Sequence, residues 1–322
     1  MYIGYKDIIP LIQDEISNTK YFGKPLELYD PMNYILQLGG KRLRPLTVLL
    51  SYQLFGSELK RAIPAAKAIE VFHNFTLVHD DIMDKAPLRR GKQTVHEKWN
   101  ENIAILSGDT LLIKVYNHFL EGGYGNLSEI LKVFNTTAIQ VCEGQQLDMN
   151  FETRDDVTID EYINMIRLKT SVLVGGAFKI GALVAKASEE DSNLIYDFGV
   201  NLGIAFQLQD DYLDCFGDLS KFGKLIGGDI LSNKKTYMML KALELDSSGE
   251  LNAWVKKTEF DKQEKIEAVK NIYTSLKVDE LAFQLMETYY QKAISNLKNI
   301  NVQEELKYPI IEFSEELMKR SS

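Results

Sequence analysis

The sequence contains little cysteine and little proline. Of its 322 residues, two are cysteine and seven are proline. Cys142 and Cys215 lie 73 positions apart and form neither a CxxC unit nor a disulfide framework. Because disulfide-rich chains belong to oxidising compartments, this cysteine usage predicts a reducing, cytoplasmic location.

Long hydrophobic runs are also missing. The most apolar stretch, residues 172–185, covers 14 positions and contains Lys179, so it is too short to span a bilayer and predicts a buried helix. The first residues, MYIGYKDIIPLIQDEI, include acidic side chains and no long apolar core, so we expect no secretory signal. Both features predict a protein that is not integral to a membrane.

Positive charge is scarce. Lys and Arg number 37 against 46 Asp and Glu, which leaves a formal net charge of −9. Nucleic-acid proteins draw much of their affinity from basic contacts to phosphate, so this balance argues against nucleic acid as a partner. Any anion that the protein binds must be held by a local basic cluster or by a metal ion.

Helical periodicity runs through nearly the whole chain. No segment alternates with period two, and capping signals such as Thr158 followed by Glu161 mark helix ends. The pattern predicts one all-α domain over residues 1–322, a large bundle whose long helices are apolar on more than one face. Predicted helices cover 5–19, 26–38, 43–55, 61–84, 102–121, 127–149, 158–186, 190–216, 233–245, 262–276, 279–299 and 303–318.

Two DDxxD motifs follow apolar helical segments. They lie in LVHDDIMD (77–84) and FQLQDDYLD (206–214). Residues four apart share a helix face, so Asp80 and Asp84 project together with Asp81 beside them, and Asp210, Asp211 and Asp214 repeat the pattern. Crowded carboxylates at the negative end of a helix are unfavourable unless cations bind, and hard oxygen ligands suit Mg²⁺. A solvated acidic helix end is the alternative reading.

Basic and polar residues flank both clusters. GGKRLRP (39–45) places three cations around a predicted helix start, where free N–H groups also favour anions. LRRG (88–91) offers two adjacent arginines, which can point to opposite sides and serve different phosphate groups. Each group could also be an ordinary surface feature, and His73, on the face of Asp80, could be a core histidine. The other candidates are Lys169 and Thr170 within a long helix, Gln207 on the face of Asp214, Lys224, Lys234 and Lys235.

Taken in order, these motifs closely resemble the signature regions of trans-isoprenyl diphosphate synthases, the polyprenyl synthetase family. The matching segments are GGKRLRP, HNFTLVHDDIMD, LRRG, LKTS, FQLQDDYLD, GKLIGGDI and NKKT, spanning residues 39–236. The resemblance implies an all-α bundle of the isoprenoid synthase type with a central active-site cavity, usually in a homodimer. It implies condensation of isopentenyl diphosphate with allylic diphosphates (dimethylallyl, geranyl or farnesyl).

The resemblance also implies roles for individual residues. Asp80, Asp84 and Asp210, assisted by Asp81 and Asp214, would hold Mg²⁺, three ions per active site with substrate bound, and Asp211 would belong to the catalytic residues. The allylic diphosphate site would be formed by Lys169, Thr170, Gln207, Lys224, Arg89 and Lys234. The isopentenyl diphosphate site would be formed by Lys41, Arg44, His73 and Arg90.

The resemblance further implies that residues just before the first aspartate cluster form the floor of the active-site cavity and so set the length of the product. Phe75 lies five positions before Asp80, and only Ile82 and Met83 separate Asp81 from Asp84. This pattern resembles archaeal-type geranylgeranyl diphosphate synthases, so we expect a C20 product, with C15 as the alternative. Helix geometry puts Phe75 about 140° around from Asp80, so ordinary core packing of Phe75 remains open.

Two other functions fit part of the pattern. A class I terpene cyclase would ionise the same substrates with one DDxxD motif and would need no isopentenyl diphosphate site. A non-catalytic subunit of a heteromeric prenyl synthase would tend to lose aspartates from the clusters. Both clusters and GGKRLRP are complete in this chain, which favours the catalytic prenyl synthase.

Overall fold

The computed structural model describes residues 3–217 and 227–319. The helices of the N-terminal part are α1 Tyr5–Ser17, α2 Leu26–Gln37, α3 Leu43–Phe55, α4 Ile63–Met83, α5 Val95–Lys98, α6 Glu101–Glu121 and α7 Leu127–Glu152. They are followed by α8 Ile159–Ile166, α9 Val172–Val184, α10 Glu189–Phe216, α11 Gly228–Leu231, α12 Tyr237–Leu245, α13 Glu250–Lys256, α14 Lys262–Ser275, α15 Val278–Lys298 and α16 Glu304–Met318.

Three short elements complete this description. A 3₁₀ turn, Leu59–Ala62, leads into α4, and a π-helical turn, Arg167–Ser171, lies between α8 and α9. The only β-structure in the described ranges is a two-residue antiparallel pair, β1 Leu88–Arg89 with β2 Lys92–Gln93. The predicted all-α fold class is therefore confirmed.

Helix bounds mostly lie within three residues of those predicted. The exception is the helix predicted from 233, which begins at Tyr237 because the Thr236 hydroxyl accepts from the Met239 N–H. The long helix predicted over 158–186 is interrupted by the π-turn. The capping box of Thr158 and Glu161 is present at the start of α8. Helices α5, α11 and α13 were not predicted, because four to seven residues are too few to display a period.

The chain clusters into two compact units. The first unit comprises Met1–Phe134, Ala177–Asn193 and Asn301–Ile310. In it α4 packs along α6 and against α3, and α3 is buried over nearly its whole length, as expected for a helix that is apolar on more than one face. The buried ring of Phe134 meets that of Phe72 edge-on and that of Phe119 at a tilt within this core.

The second unit comprises Asn135–Gly176, Leu194–Ile300 and Ile311–Ser322. Its core gathers buried side chains from α8, α10, α12, α14 and α15, among them Tyr162, Leu208 and Tyr273. The prediction of a single domain over 1–322 stays a prediction. Within the described ranges, no helix is both long and apolar enough to cross a membrane.

Candidate active site

The first aspartate cluster lies at the C-terminal end of α4. The backbone N–H of Asp84 donates to the carbonyl of Asp80 at 2.8 Å, so the two residues are stacked one helical turn apart. Asp80 is half-buried and Asp84 is exposed, whereas Asp81 is fully buried. The cluster thus presents two carboxylates outward and keeps the middle one inside.

The β1–β2 hairpin separates the two arginines of LRRG. Its turn residues Arg90 and Gly91 have φ of 53° and 73°, the conformation of turns that match strand twist. The Arg89 Nε donates to both Asp81 carboxylate oxygens at 2.9 Å, and its Nη2 lies 2.7 Å from Oδ1. Arg90 donates instead to the carbonyl of Gly39. The adjacent arginines therefore reach different partners.

The loop before α3 is shaped by two glycines. Gly39 and Gly40 have φ of 80° and 127°, which other residues rarely adopt. A Cβ on Gly40 would lie 2.7 Å from the Arg90 guanidinium carbon. Lys41 is exposed on this loop. The glycines therefore let the backbone of GGKRLRP pass directly against Arg90.

Arg42 is turned inward rather than towards solvent. It forms an ion pair with Glu70 of α4, and the two side chains are 5% and 2% exposed. Arg42 Nη2 also donates to the carbonyl of Leu36 at 2.5 Å, and Asn74 Nδ2 donates to Glu70 Oε1 at 3.1 Å. Of the three cations expected to face an anion, Arg42 instead fastens the loop to α4.

Arg44 and His73 lie side by side. Arg44 Nη1 donates to His73 Nε2 at 3.1 Å, so this ring nitrogen accepts. Burial and the neighbouring Arg44 and Arg90 guanidinium groups hold the pKa of His73 well below its usual value, which keeps the ring neutral. Arg44 Nε is buried without a hydrogen-bond partner among the described residues. Burial lowers the pKa of Arg44, and the nearby carboxylates of Glu70 and Asp80 oppose that lowering.

Phe75 is 9% exposed and packs within the first unit. Its ring meets the His79 ring edge-on at 4.8 Å and lies 5.7 Å from that of Phe72. His79 in turn occupies the space over Gly108, where a Cβ would lie 2.3 Å from its Nε2. Contacts of this kind suit a core residue equally well, so both readings of Phe75 stay open.

The second aspartate cluster lies in the last turns of α10. Asp211 is 4% exposed and accepts hydrogen bonds from the Tyr162 hydroxyl and, at 3.1 Å, from Gln207 Nε2. Burial raises the pKa of the Asp211 carboxyl, and the ammonium of Lys234 opposes that rise. Asp210 beside it is half-buried. As in the first cluster, the middle carboxylate is engaged with the protein.

Asp214 is joined to the start of α11. Its Oδ2 accepts from the backbone N–H of Asp229 at 2.9 Å, and Asp229 Oδ1 lies 3.5 Å from Lys234 Nζ. Lys234 therefore lies beside Asp229, and its ammonium also interacts electrostatically with Asp211. Lys224, predicted for the allylic site, lies outside the described residues.

The π-turn carries Lys169 and Thr170. Single π-turns within helices are rare and frequently occur at functional sites. Lys169 Nζ donates to Asp148 of α7 at 2.5 Å, and the Thr170 hydroxyl donates to Gln207 Oε1 at 3.3 Å. Thr170, Gln207 and Asp211 thus form one hydrogen-bonded chain within the second unit.

Two glycines admit this turn between neighbouring helices. A Cβ on Gly144 of α7 would lie 2.1 Å from the backbone nitrogen of Lys169, and one on Gly203 of α10 would lie 2.7 Å from Ser171 Cα. Because both clashes are with backbone or Cα atoms, no side-chain rotation relieves them. The position of the π-turn is therefore set by close packing on both sides.

Replacing Gly144 by alanine tests this packing. Helix propensity alone would make alanine stabilising, but the clash should outweigh it and lower the free energy of unfolding by about 1–3 kcal/mol. A displacement of Lys169 and Thr170 by about 1 Å should reduce kcat/KM about 100-fold. Urea unfolding and steady-state assays measure both.

Gly125→Ala is the control, since a Cβ there meets nothing within 4 Å. Wild-type activity in Gly144→Ala would show that the π-turn can shift without harm.

The donor set of the aspartates fits Mg²⁺. Among the described residues, no three His, Cys, Asp or Glu side chains converge into a preformed metal site. Mg²⁺ does not need one, because it binds through one or two carboxylates and completes its shell with water and substrate phosphate. Asp81 and Asp211 are buried and bonded to Arg89 and Tyr162, whereas Asp80, Asp84 and Asp210 are more exposed to solvent.

Several residues around these clusters were not predicted. Asp148 and Tyr162 pair with Lys169 and Asp211, and neither lies in a recognisable motif. Asp229 lies inside the recognised segment GKLIGGDI, but no role was predicted for it. Glu70 stands out as an acid within an apolar helix, three residues before His73. An acidic residue in an apolar stretch signals a buried partner of opposite charge.

The described helices and charged clusters define the chain as an all-α isoprenoid synthase. More narrowly, the polyprenyl synthetase family model matches residues 25–276, so the chain belongs to the polyprenyl synthetase family. The resemblance drawn from the motifs is confirmed.

Individual relatives support this membership. The chain is 39% identical over 303 residues to the geranylgeranyl diphosphate synthase of Sulfolobus acidocaldarius, covering 92% of this chain and 91% of the relative. It is 43% identical over 242 residues to that of Methanosarcina mazei, covering 73% and 75%. A crystal structure of a geranylgeranyl pyrophosphate synthase matches with a TM-score of 0.94 and 48% identity, over 99% of this chain and 100% of that one.

Proposed function

We propose that this enzyme, a short-chain trans-prenyltransferase, joins isopentenyl diphosphate head-to-tail to allylic diphosphates and releases an all-trans C20 diphosphate. The observation that carries the proposal is the cationic cluster of Arg44, neutral His73 and Arg90 in the same unit as the first aspartate cluster. Among the residues that the structure describes, Arg44 Nε is buried there without a hydrogen-bond partner. A buried donor without a partner is costly, and a diphosphate oxygen would satisfy it.

In this proposal, isopentenyl diphosphate is bound by Lys41, Arg44, His73 and Arg90. Neutral His73 accepts from Arg44, so its remaining N–H, on Nδ1, is a donor. The arginines supply charge, and the exposed Lys41 adds an ammonium group. Together they would hold the anion while leaving its alkene to react.

The allylic diphosphate is assigned to Lys169, Thr170, Gln207, Arg89, Lys234 and Lys224. Mg²⁺ dependence is general in this family, and bound Mg²⁺ stabilises the departing diphosphate. We propose that Asp80, Asp84 and Asp210 hold the ions, three per active site, with Asp81, Asp211 and Asp214 assisting. The Thr170 hydroxyl and Gln207 amide oxygen provide dipoles for an allylic cation, which must be kept from water.

The direct test uses radiolabelled isopentenyl diphosphate with dimethylallyl, geranyl or farnesyl diphosphate. The purified protein with Mg²⁺ should extend at least one primer, and hydrolysis should yield the C20 alcohol. Failure to extend any primer would overturn the proposal. Cyclic hydrocarbons without consumption of isopentenyl diphosphate would instead identify a terpene cyclase.

Product length tests the role of Phe75. If its ring closes the cavity floor, Phe75→Ala should lengthen the product by about one C5 unit, since the lost ring is close in size to an isoprene unit. Chromatography of the dephosphorylated products measures this. Phe119→Ala is the matched control, because it removes a buried ring of the same core at another helix and should leave the length unchanged. Products no longer than wild type in Phe75→Ala would leave core packing as its role.

A homodimer is the second part of the proposal. Leu106, Ile113 and Leu120 repeat every seven residues along α6 and are 58%, 61% and 62% exposed. A heptad-spaced apolar stripe is what a helix presents to a partner helix, and one copy can meet the same stripe on another copy. The expected cytoplasmic location remains part of this proposal.

Ile113→Arg should therefore disrupt the dimer. A charge in the middle of the stripe would be buried without a partner, so sedimentation equilibrium should give a mass near the chain's 36.7 kDa instead of twice that value. Phe22→Arg is the control, since Phe22 is 82% exposed and lies outside the stripe. A variant that keeps the wild-type mass would place the interface elsewhere.

A further inference from the structure

A polar pocket of about 280 Å³ lies in the first unit, away from the aspartates. Its walls come from the turn after α1, the N-terminal part of α4 and the C-terminal part of α6. On α4 it includes Lys67, which is 13 positions before Asp80, so about 20 Å of helix separates the pocket from the first aspartate cluster. None of the residues assigned to prenyl transfer lines it.

Three lysines surround this pocket: Lys20, Lys67 and Lys114. None of the three forms a salt bridge to a carboxylate within the described ranges. The one carboxylate in the lining, Glu121, is already bonded to His118 Nδ1 at 2.9 Å. With three ammonium groups and one carboxylate in its lining, the pocket carries a net positive charge in a chain whose net charge is −9.

The buried wall of the pocket is polar but cannot neutralise these lysines. The Tyr21 hydroxyl donates to His118 Nε2 at 2.8 Å, and the two residues are 8% and 5% exposed. Burial lowers the pKa of His118, and Lys67 and Lys114 lower it further, although Glu121 opposes them. The ring therefore stays neutral, and the lysines act on it as nearby charges.

Helix dipoles do not account for two of the three lysines. Lysine is favoured in the last turn of a helix, but Lys114 lies seven residues before the end of α6. Lys67 lies near the N-terminal end of α4, where a cation is disfavoured. Repulsion between ammonium groups around one concavity would be relieved by a bound anion.

We propose that this pocket binds a small anion of the phosphate class, orthophosphate or diphosphate. The ammonium groups of Lys20, Lys67 and Lys114 supply charge, and the side-chain amides of Asn18 and Asn117 supply further donors at the rim. Lysine binds phosphate as a point charge, so the pocket needs no fixed bidentate geometry. This site is independent of the proposed prenyl transfer.

Calorimetric titration of the full chain, without Mg²⁺, tests the site with orthophosphate and with diphosphate in separate runs. For at least one anion, Lys67→Met/Lys114→Met should raise Kd at least tenfold, whereas the charge-matched control Lys60→Met/Lys132→Met should leave it unchanged. Both control lysines are exposed and lie outside the pocket. The anion that binds more tightly identifies the source.

The variant Arg44→Ala distinguishes binding at the pocket from binding at the proposed active site. This variant should still bind the anion at the pocket. If the double pocket variant folds poorly, Asn117→Asp adds a carboxylate at the rim and should weaken binding in the same direction. Wild-type affinity in the folded pocket variants, or no binding of either anion to the wild type, would overturn the proposal. Loss of the event in Arg44→Ala alone would assign it to the active site and overturn it as well.

Discussion

Asp80→Asn and Asp210→Asn should each lower kcat by about 1,000-fold or more. Each change removes one negative charge and one strong oxygen ligand from a cluster proposed to hold Mg²⁺, and metal charge is worth several kcal/mol to a developing anion. The Mg²⁺ concentration for half-maximal activity should rise as well. Steady-state assays over a Mg²⁺ titration measure both quantities.

Asp81→Asn should behave differently from these two variants. Its carboxylate is fully buried and paired with Arg89, so its loss should release Arg89 and lower thermal stability, with a smaller effect on the Mg²⁺ requirement. Asp30→Asn, on the exposed face of α2, should change nothing. Equal Mg²⁺ profiles in Asp80→Asn and the wild type would remove Asp80 from the proposed ligands.

The long helices could be predicted because their signal is local. Apolar spacing and caps lie within a few turns of chain, so α3 was predicted with its observed bounds, 43–55, and the Thr158 capping box at the start of α8 was predicted correctly. The four-residue spacing of Asp80 and Asp84 likewise determines their stacking as soon as α4 forms.

What could not be predicted depends on contacts distant in sequence. Gly144 and Gly203 read as ordinary helical glycines, and only the fold shows that the π-turn passes against both. In the same way, nothing in the sequence distinguishes Asp81 and Asp211 from the aspartates beside them. Their burial depends on Arg89 and Tyr162, which belong to other secondary-structure elements. The tertiary structure determines which charged residues pair with each other.

The inward orientation of Arg42 also depends on a residue distant in sequence, Glu70, and loss of this ion pair gives the second large predicted effect. Arg42→Met should lower the free energy of unfolding by about 3–5 kcal/mol, because Glu70 would remain buried without its charge partner. The loop that carries Lys41 and leads into Arg44, the second residue of α3, would also lose its anchor at the Leu36 carbonyl. The KM for isopentenyl diphosphate should therefore rise about tenfold, equivalent to about 1.4 kcal/mol.

A double-variant cycle separates these two consequences. Arg42→Met/Glu70→Leu replaces the whole ion pair by apolar side chains, which commonly restores stability. Urea unfolding should then return close to the wild-type value, while the KM for isopentenyl diphosphate should stay raised, because no side chain fastens the loop to α4. Arg61→Met, at an exposed position, is the control for loss of charge alone. If stability and KM recover together, the pair only stabilises the fold and has no part in positioning Lys41 and Arg44.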